Sequence, residues 1–176
     1  VLEGLQRKEK PNFQKKSINQ IDLNNNPLII QAKKLYSEDF ERSVEKYREF
    51  ENEYGYPGPQ FSIWIINSAR GAHDDDTIID YAVKGLNHPD LTSQENKTIL
   101  IMSLPAFRRK EEWELMRDYI SQYLDTNPNP EKFILRSFLE CYLKLGDYDG
   151  VKSAANTLLT LYPDSKAVKR LRNELI

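Results

Sequence analysis

The stretch YLKLGDYDGVKSAANTLLTLYP, residues 142–163, carries apolar residues at helical spacing on both sides of GDYDG. Phe138, Leu139, Tyr142 and Leu145 share one helix face before it, and Val151, Ala154, Ala155, Leu158 and Leu161 share one after it. A helix ending at Leu145 calls for a left-handed residue next, which Gly146 adopts without steric cost. The run from Asp147 to Gly150 offers capping oxygens to a second helix, and Pro163 stops that helix. GDYDG is therefore expected to be the corner of a helical hairpin rather than a ligand loop.

Counted back from Pro163 as a closing proline, Tyr142 takes an aromatic position in the first helix, Gly146 the turn glycine and Tyr148 the aromatic beyond it. In this register the segment resembles the tetratricopeptide repeat, a helix-turn-helix unit of about 34 residues. Leu139 and Val151 depart from the family, which has small residues at those close-packing positions, so the two helices are expected to pack slightly wider. Pro89, Pro128 and Pro163 are separated by 39 and 35 residues, and Pro57 lies 32 before Pro89. The aromatics Phe40, Trp113 and Tyr148 follow the presumed turns, with a missing member near 73–77.

The resemblance implies an all-α fold, a right-handed α-α superhelix (solenoid) of about four hairpins over 27–176. Helices are expected over 27–37 and 39–54, 61–70 and 77–87, 93–107 and 110–126, and from 130 into the closing hairpin. Pro105 is expected to shorten or kink its helix. Residues 164–176 read as a capping helix, with Val168, Leu171, Leu175 and Ile176 covering the stack and Lys166, Lys169, Arg170 and Arg172 facing water. Residues 1–26, with Arg7, Lys8, Lys10, Lys15 and Lys16 ahead of IDLNNN, read as a basic, polar N-terminal arm or linker.

Charge is near balance, 25 basic against 27 acidic residues, so no global field selects nucleic acid as a partner. Glycine is scarce and the apolar runs are broken by charge, which argues against a membrane span and against a β-rich fold. One cysteine, Cys141, cannot form an internal disulfide; a reducing, cytoplasmic location is the expectation. The chain begins at Val1 without a signal-like segment and is expected to be a module of a larger protein.

The string HDDD at 73–76 has the composition of a divalent-metal site, yet helical patterns flank it, and capping of the next helix accounts for it more simply. His73, His88 and Cys141 together cannot close a zinc site, and Cys141 sits on an apolar helix face. Phosphate loops and serine-nucleophile motifs are absent from the sequence. A non-enzymatic domain is therefore expected, with no cofactor and no metal. Trp64 and Trp113 are expected in the packing, and Tyr54 and Tyr56 more exposed.

In the family, extended peptides lie in a concave groove lined by the first helix of each hairpin. The resemblance assigns to that groove Ser62, Ile66, Ala69 and Arg70, then Thr98, Ile101, Arg108 and Arg109, then Phe133, Arg136, Glu140 and Lys144. Five cations among these, Arg70, Arg108, Arg109, Arg136 and Lys144, favour an acidic peptide, a C-terminal carboxylate or another polyanion. The expected partner is thus a protein or peptide, with self-association a second possibility. Two other settings fit the same fold: an accessory domain of a bacterial glycosyltransferase or polymerase, and the peptide-sensing domain of a transcription regulator.

Overall fold

The computed structural model describes residues 21–166, and these form eight α-helices preceded by a short 3-10 turn at Leu23–Asn25. The helices are α1 Pro27–Leu35, α2 Phe40–Tyr54, α3 Pro59–Gly71, α4 Asp75–Leu86, α5 Ser93–Arg109, α6 Trp113–Thr126, α7 Lys132–Leu145 and α8 Tyr148–Leu161. Each packs on the next, and α3 also packs on α5. No strand occurs among the described residues. The basic arm lies almost wholly outside these residues, as does the covering side of the helix expected over 164–176.

Local chemistry sets the helix ends. Pro27 and Pro59 occupy first-turn positions, where a missing N–H costs nothing. Asn26 caps α1 by accepting from the Leu28 amide, and Thr92 and Glu95 form a reciprocal capping box on α5. Pro105 does not end α5, which runs four residues further to Arg109.

The four even-numbered helices start at equivalent caps, Asp39, Asp74, Glu112 and Asp147, spaced by 35, 38 and 35 residues. Three of the hairpin turns share one geometry. His73, Glu111 and Gly146 each take a left-handed conformation, with φ of 56°, 57° and 71°. The following amide then reaches five residues back: Asp74 to Ala69 at 2.9 Å, Glu112 to Phe107 at 2.9 Å and Asp147 to Tyr142 at 3.0 Å. The α7 end at Leu145, the left-handed Gly146 and the cap on the Gly150 amide at 2.9 Å all agree with the sequence reading.

Burial follows the caps. The fourth residue past each cap is Ser43, Ile78, Met116 and Val151, and the eleventh is Phe50, Gly85, Tyr123 and Leu158; all are buried. A large apolar cluster runs through the first three hairpins and reaches Ile134 and Cys141. A smaller one of Leu135, Leu139, Val151, Ala154 and Leu158 fills the last hairpin, and Leu124 and Phe138 pack against both.

Tyr54 and Tyr56 are half-buried rather than exposed, because YGYPGP folds back over the core. The Tyr54 ring lies 4.9 Å from Phe50, and the Tyr56 hydroxyl hydrogen-bonds the Ser62 hydroxyl at 2.7 Å. Burial pushes the Tyr56 phenol up to about 12.

Candidate binding face

The cap spacing supplies a register for the odd-numbered helices α3, α5 and α7. Fourteen, eleven and seven residues before each cap stand Phe133, Arg136 and Glu140 on α7, Thr98, Ile101 and Pro105 on α5, and Gln60, Ile63 and Asn67 on α3. These positions are exposed or half-buried on every helix and form one outward row.

This register corrects the α3 residues assigned to the groove. Ile66, Ser62 and Ala69 are wholly buried, and the Ser62 hydroxyl donates to the Tyr81 carbonyl at 2.6 Å. The proline anchor failed here because Pro89 lies three residues beyond α4, whereas Pro128 and Pro163 lie two beyond α6 and α8. Of that set only Arg70 faces outward, and Gln60, Ile63 and Asn67 take the places of the others.

The structure does not gather the five expected cations into one free patch. Arg108 turns toward α7, its Nε 2.8 Å from Glu140 Oε2 and its Nη2 on the Ser137 hydroxyl. Arg109 turns the other way and forks onto Asp75 through contacts of 2.8 and 2.6 Å. That pair holds the Asp75 carboxyl below the ordinary range, the Arg109 hydrogen bond being the main cause. Arg70, Arg136 and Lys144 are exposed and have no carboxylate partner among the described residues. Ile101 is half-buried against the core, while Phe133 stays 42 % exposed at the start of α7.

The HDDD string is occupied by structure. Asp74 caps α4 by accepting from the Thr77 amide at 3.0 Å, Asp75 holds Arg109, and Asp76 lies 2.8 Å from Lys110 Nζ. Among the described residues no three His, Cys, Asp or Glu side chains are grouped as metal ligands. Cys141 is buried, and desolvation pushes its thiol up to about 12.

Charge is segregated between two sets of helices. The first helices of the hairpins, α1, α3, α5 and α7, carry nine lysines and arginines against two carboxylates, Glu95 and Glu140. The second helices, α2, α4, α6 and α8, carry six against twelve. The near-neutral total therefore hides a basic set of helices alternating with an acidic one.

A small, mostly apolar cleft of about 160 Å³ opens among Lys33, Tyr36, Tyr47, Trp64 and Asn67. The Lys33 ammonium sits 3.9 Å from the Trp64 ring centroid, close enough for cation–π attraction, and also donates to Asn24 Oδ1 at 2.9 Å. Trp64 thus packs on the core with one side and lines this cleft with the other, which an assignment to packing alone missed. Trp113 packs on the core with Lys144 Nζ 5.6 Å from its ring centroid. Compared with protein-family models and with curated protein sequences, the chain matches none.

Proposed function

We propose that this chain is a non-catalytic helical-repeat domain, a tetratricopeptide-like superhelix that binds an acidic protein segment along the helices α1, α3, α5 and α7. The observation that carries this reading is the charge segregation, with nine cations against two carboxylates on those four helices. Lys33, Arg70, Arg136 and Lys144 provide the contacts, because Arg108 and Arg109 are already spent on Glu140 and Asp75. The common turn geometry and the α3–α5 packing support a repeated stack. Exposed charges of one sign steer an oppositely charged partner and weaken with salt.

The test is fluorescence anisotropy with a labelled peptide alternating Glu and Gly, beside a Lys and Gly peptide of equal length. The acidic peptide should bind at low ionic strength and lose affinity as salt rises. A double variant, Arg70→Glu with Arg136→Glu, should abolish binding while circular dichroism stays unchanged, since both side chains are exposed. Equal binding of both peptides, or an unaffected double variant, refutes the proposal.

A further inference from the structure

The residue just past each cap contacts the end of the first helix in the following hairpin. Phe40 lies across Gly71, where an added Cβ would come within 2.3 Å of the ring. Asp75 takes the fork of Arg109, and Trp113 faces the Lys144 ammonium. Gly71, Arg109 and Lys144 stand three residues before caps Asp74, Glu112 and Asp147. The junction between neighbouring hairpins therefore has one recurring contact, made in turn by an aromatic on glycine, an ion pair and a cation over an indole.

The fourth member of this row is Tyr148, and it is 65 % exposed, with no such contact among the described residues. Beside it, the Asp149 side chain is 98 % exposed, at the position where Asp76 holds Lys110. At the opposite end of the stack, Ile30 is 49 % exposed, although Ile65 and Ser103, also nine residues before their caps, are wholly buried. Tyr36 stands just past α1 at 44 % exposure, close to Lys33 and Lys34 in sequence. All the exposed large apolar residues among those described belong to the first and last hairpins, and the two inner hairpins have none.

We propose that α8 and the α7–α8 turn form a seat for the first hairpin of a second copy of this chain, so that copies associate head to tail. The occupant follows from complementarity within one molecule. Among the described residues Tyr148 has no end-of-helix residue to cover, and a second copy offers Tyr36, just past α1, at the matching place. Asp149 meets only Lys152 of its own helix, at 3.7 Å, and α1 carries Lys33 and Lys34. Such a contact is heterologous, joining two different surfaces, and it continues from copy to copy unless the rotation closes a ring.

The experiment is sedimentation velocity on the full chain over a wide concentration range. The wild-type mass should rise with concentration past that of a dimer. Tyr148→Lys and Ile30→Lys, both at exposed positions, should each sediment as a monomer with an unchanged circular dichroism spectrum. Mixed in equal amounts, the two variants should form a dimer and stop there, because each retains one intact face. A wild-type chain that stays monomeric overturns the proposal. So does a mixture that fails to pair, or a single variant that still self-associates. If deleting residues 167–176 converts a monomeric chain into an associating one, the seat belongs to those residues instead, and the proposal is again overturned.

Discussion

The shared turn at His73, Glu111 and Gly146 makes a quantitative prediction, because three residues of different type hold one left-handed conformation. A non-glycine residue pays about 1–2 kcal/mol to adopt it. Glycine avoids that strain but gives up about 0.5–1 kcal/mol more backbone entropy on folding. Glu111→Gly and His73→Gly should therefore each stabilise the protein by about 0.5–1 kcal/mol. Neither side chain makes a hydrogen bond or ion pair among the described residues, and the weak attraction of His73 for Asp75 offsets little of the gain. Gly146→Ala should destabilise by a similar amount, and the cause would be backbone strain alone, since an added Cβ there meets no atom within 4 Å. Urea titration followed by circular dichroism reads these as midpoint shifts of about 0.3–0.5 M, taking a slope of about 2 kcal/mol per molar. Gly146→Asn should fall between glycine and alanine, as asparagine tolerates this conformation best of the remaining residues. A lowered midpoint for Glu111→Gly, or an unchanged one for Gly146→Ala, refutes the account of these turns.

Other perturbations test the packing and the ion pairs. Gly85→Ala places a methyl 2.7 Å from Ile99 Cδ1 and 2.9 Å from Ser62 Oγ inside the α3–α4–α5 junction. Overpacking of about 1–3 kcal/mol should exceed the helix-propensity gain of about 1 kcal/mol, so thermal melting should show a loss where an exposed helical glycine would show a gain. Asp75→Asn removes a carboxylate whose folded pKa is depressed, so the stability it contributes is present above the unfolded pKa and disappears as pH falls through the folded one. The stability gap between wild type and variant, read from urea midpoints, should be about 0.5–1 kcal/mol at neutral pH and should begin to close only as pH falls below about 4. The buried Cys141 thiol should resist a disulfide reagent at pH 8 in the native protein and react at once in denaturant; rapid native labelling would contradict its burial.

The last hairpin was legible residue by residue because its turn uses the residue that physics favours. Gly146 announces a left-handed position, and Asp147 announces a cap. The second and third turns have the same backbone but place His73 and Glu111 where glycine would have been the signal, so the repeat was visible only through less regular prolines. Pro89, one residue further from its helix than its counterparts, then shifted the register on α3 and placed Ile66 in a groove when it belongs to the core. The partners of Arg108 and Arg109 were beyond reach of local pattern, as Glu140 and Asp75 lie 32 and 34 residues away on neighbouring hairpins. The lysine, tyrosines, tryptophan and asparagine of the small cleft likewise come from three helices, and no spacing rule unites them.

Helix electrostatics alone account for part of the charge segregation. Cations favour the last turn of a helix and carboxylates the first. At each hairpin tip the end of a first helix meets the start of a second, so Lys33, Lys34, Arg70, Arg108, Arg109 and Lys144 stand where the dipole prefers them. Asp75 and Asp76 at the start of α4 are placed by the same rule, and they are matched across the junction by Arg109 and Lys110. If the dipole were the whole cause, the tip cations would all be neutralised in this way. Among the described residues Arg70 and Lys144 are exposed at tips with no carboxylate partner, and Arg136 lies past the first turn of α7, where the dipole offers no preference. The excess left for the proposed acidic partner is this remainder, and it lies on the first helices. Reversal of Arg136 should therefore cost affinity without cost to stability, whereas reversal of Arg109 should cost stability by breaking its fork on Asp75.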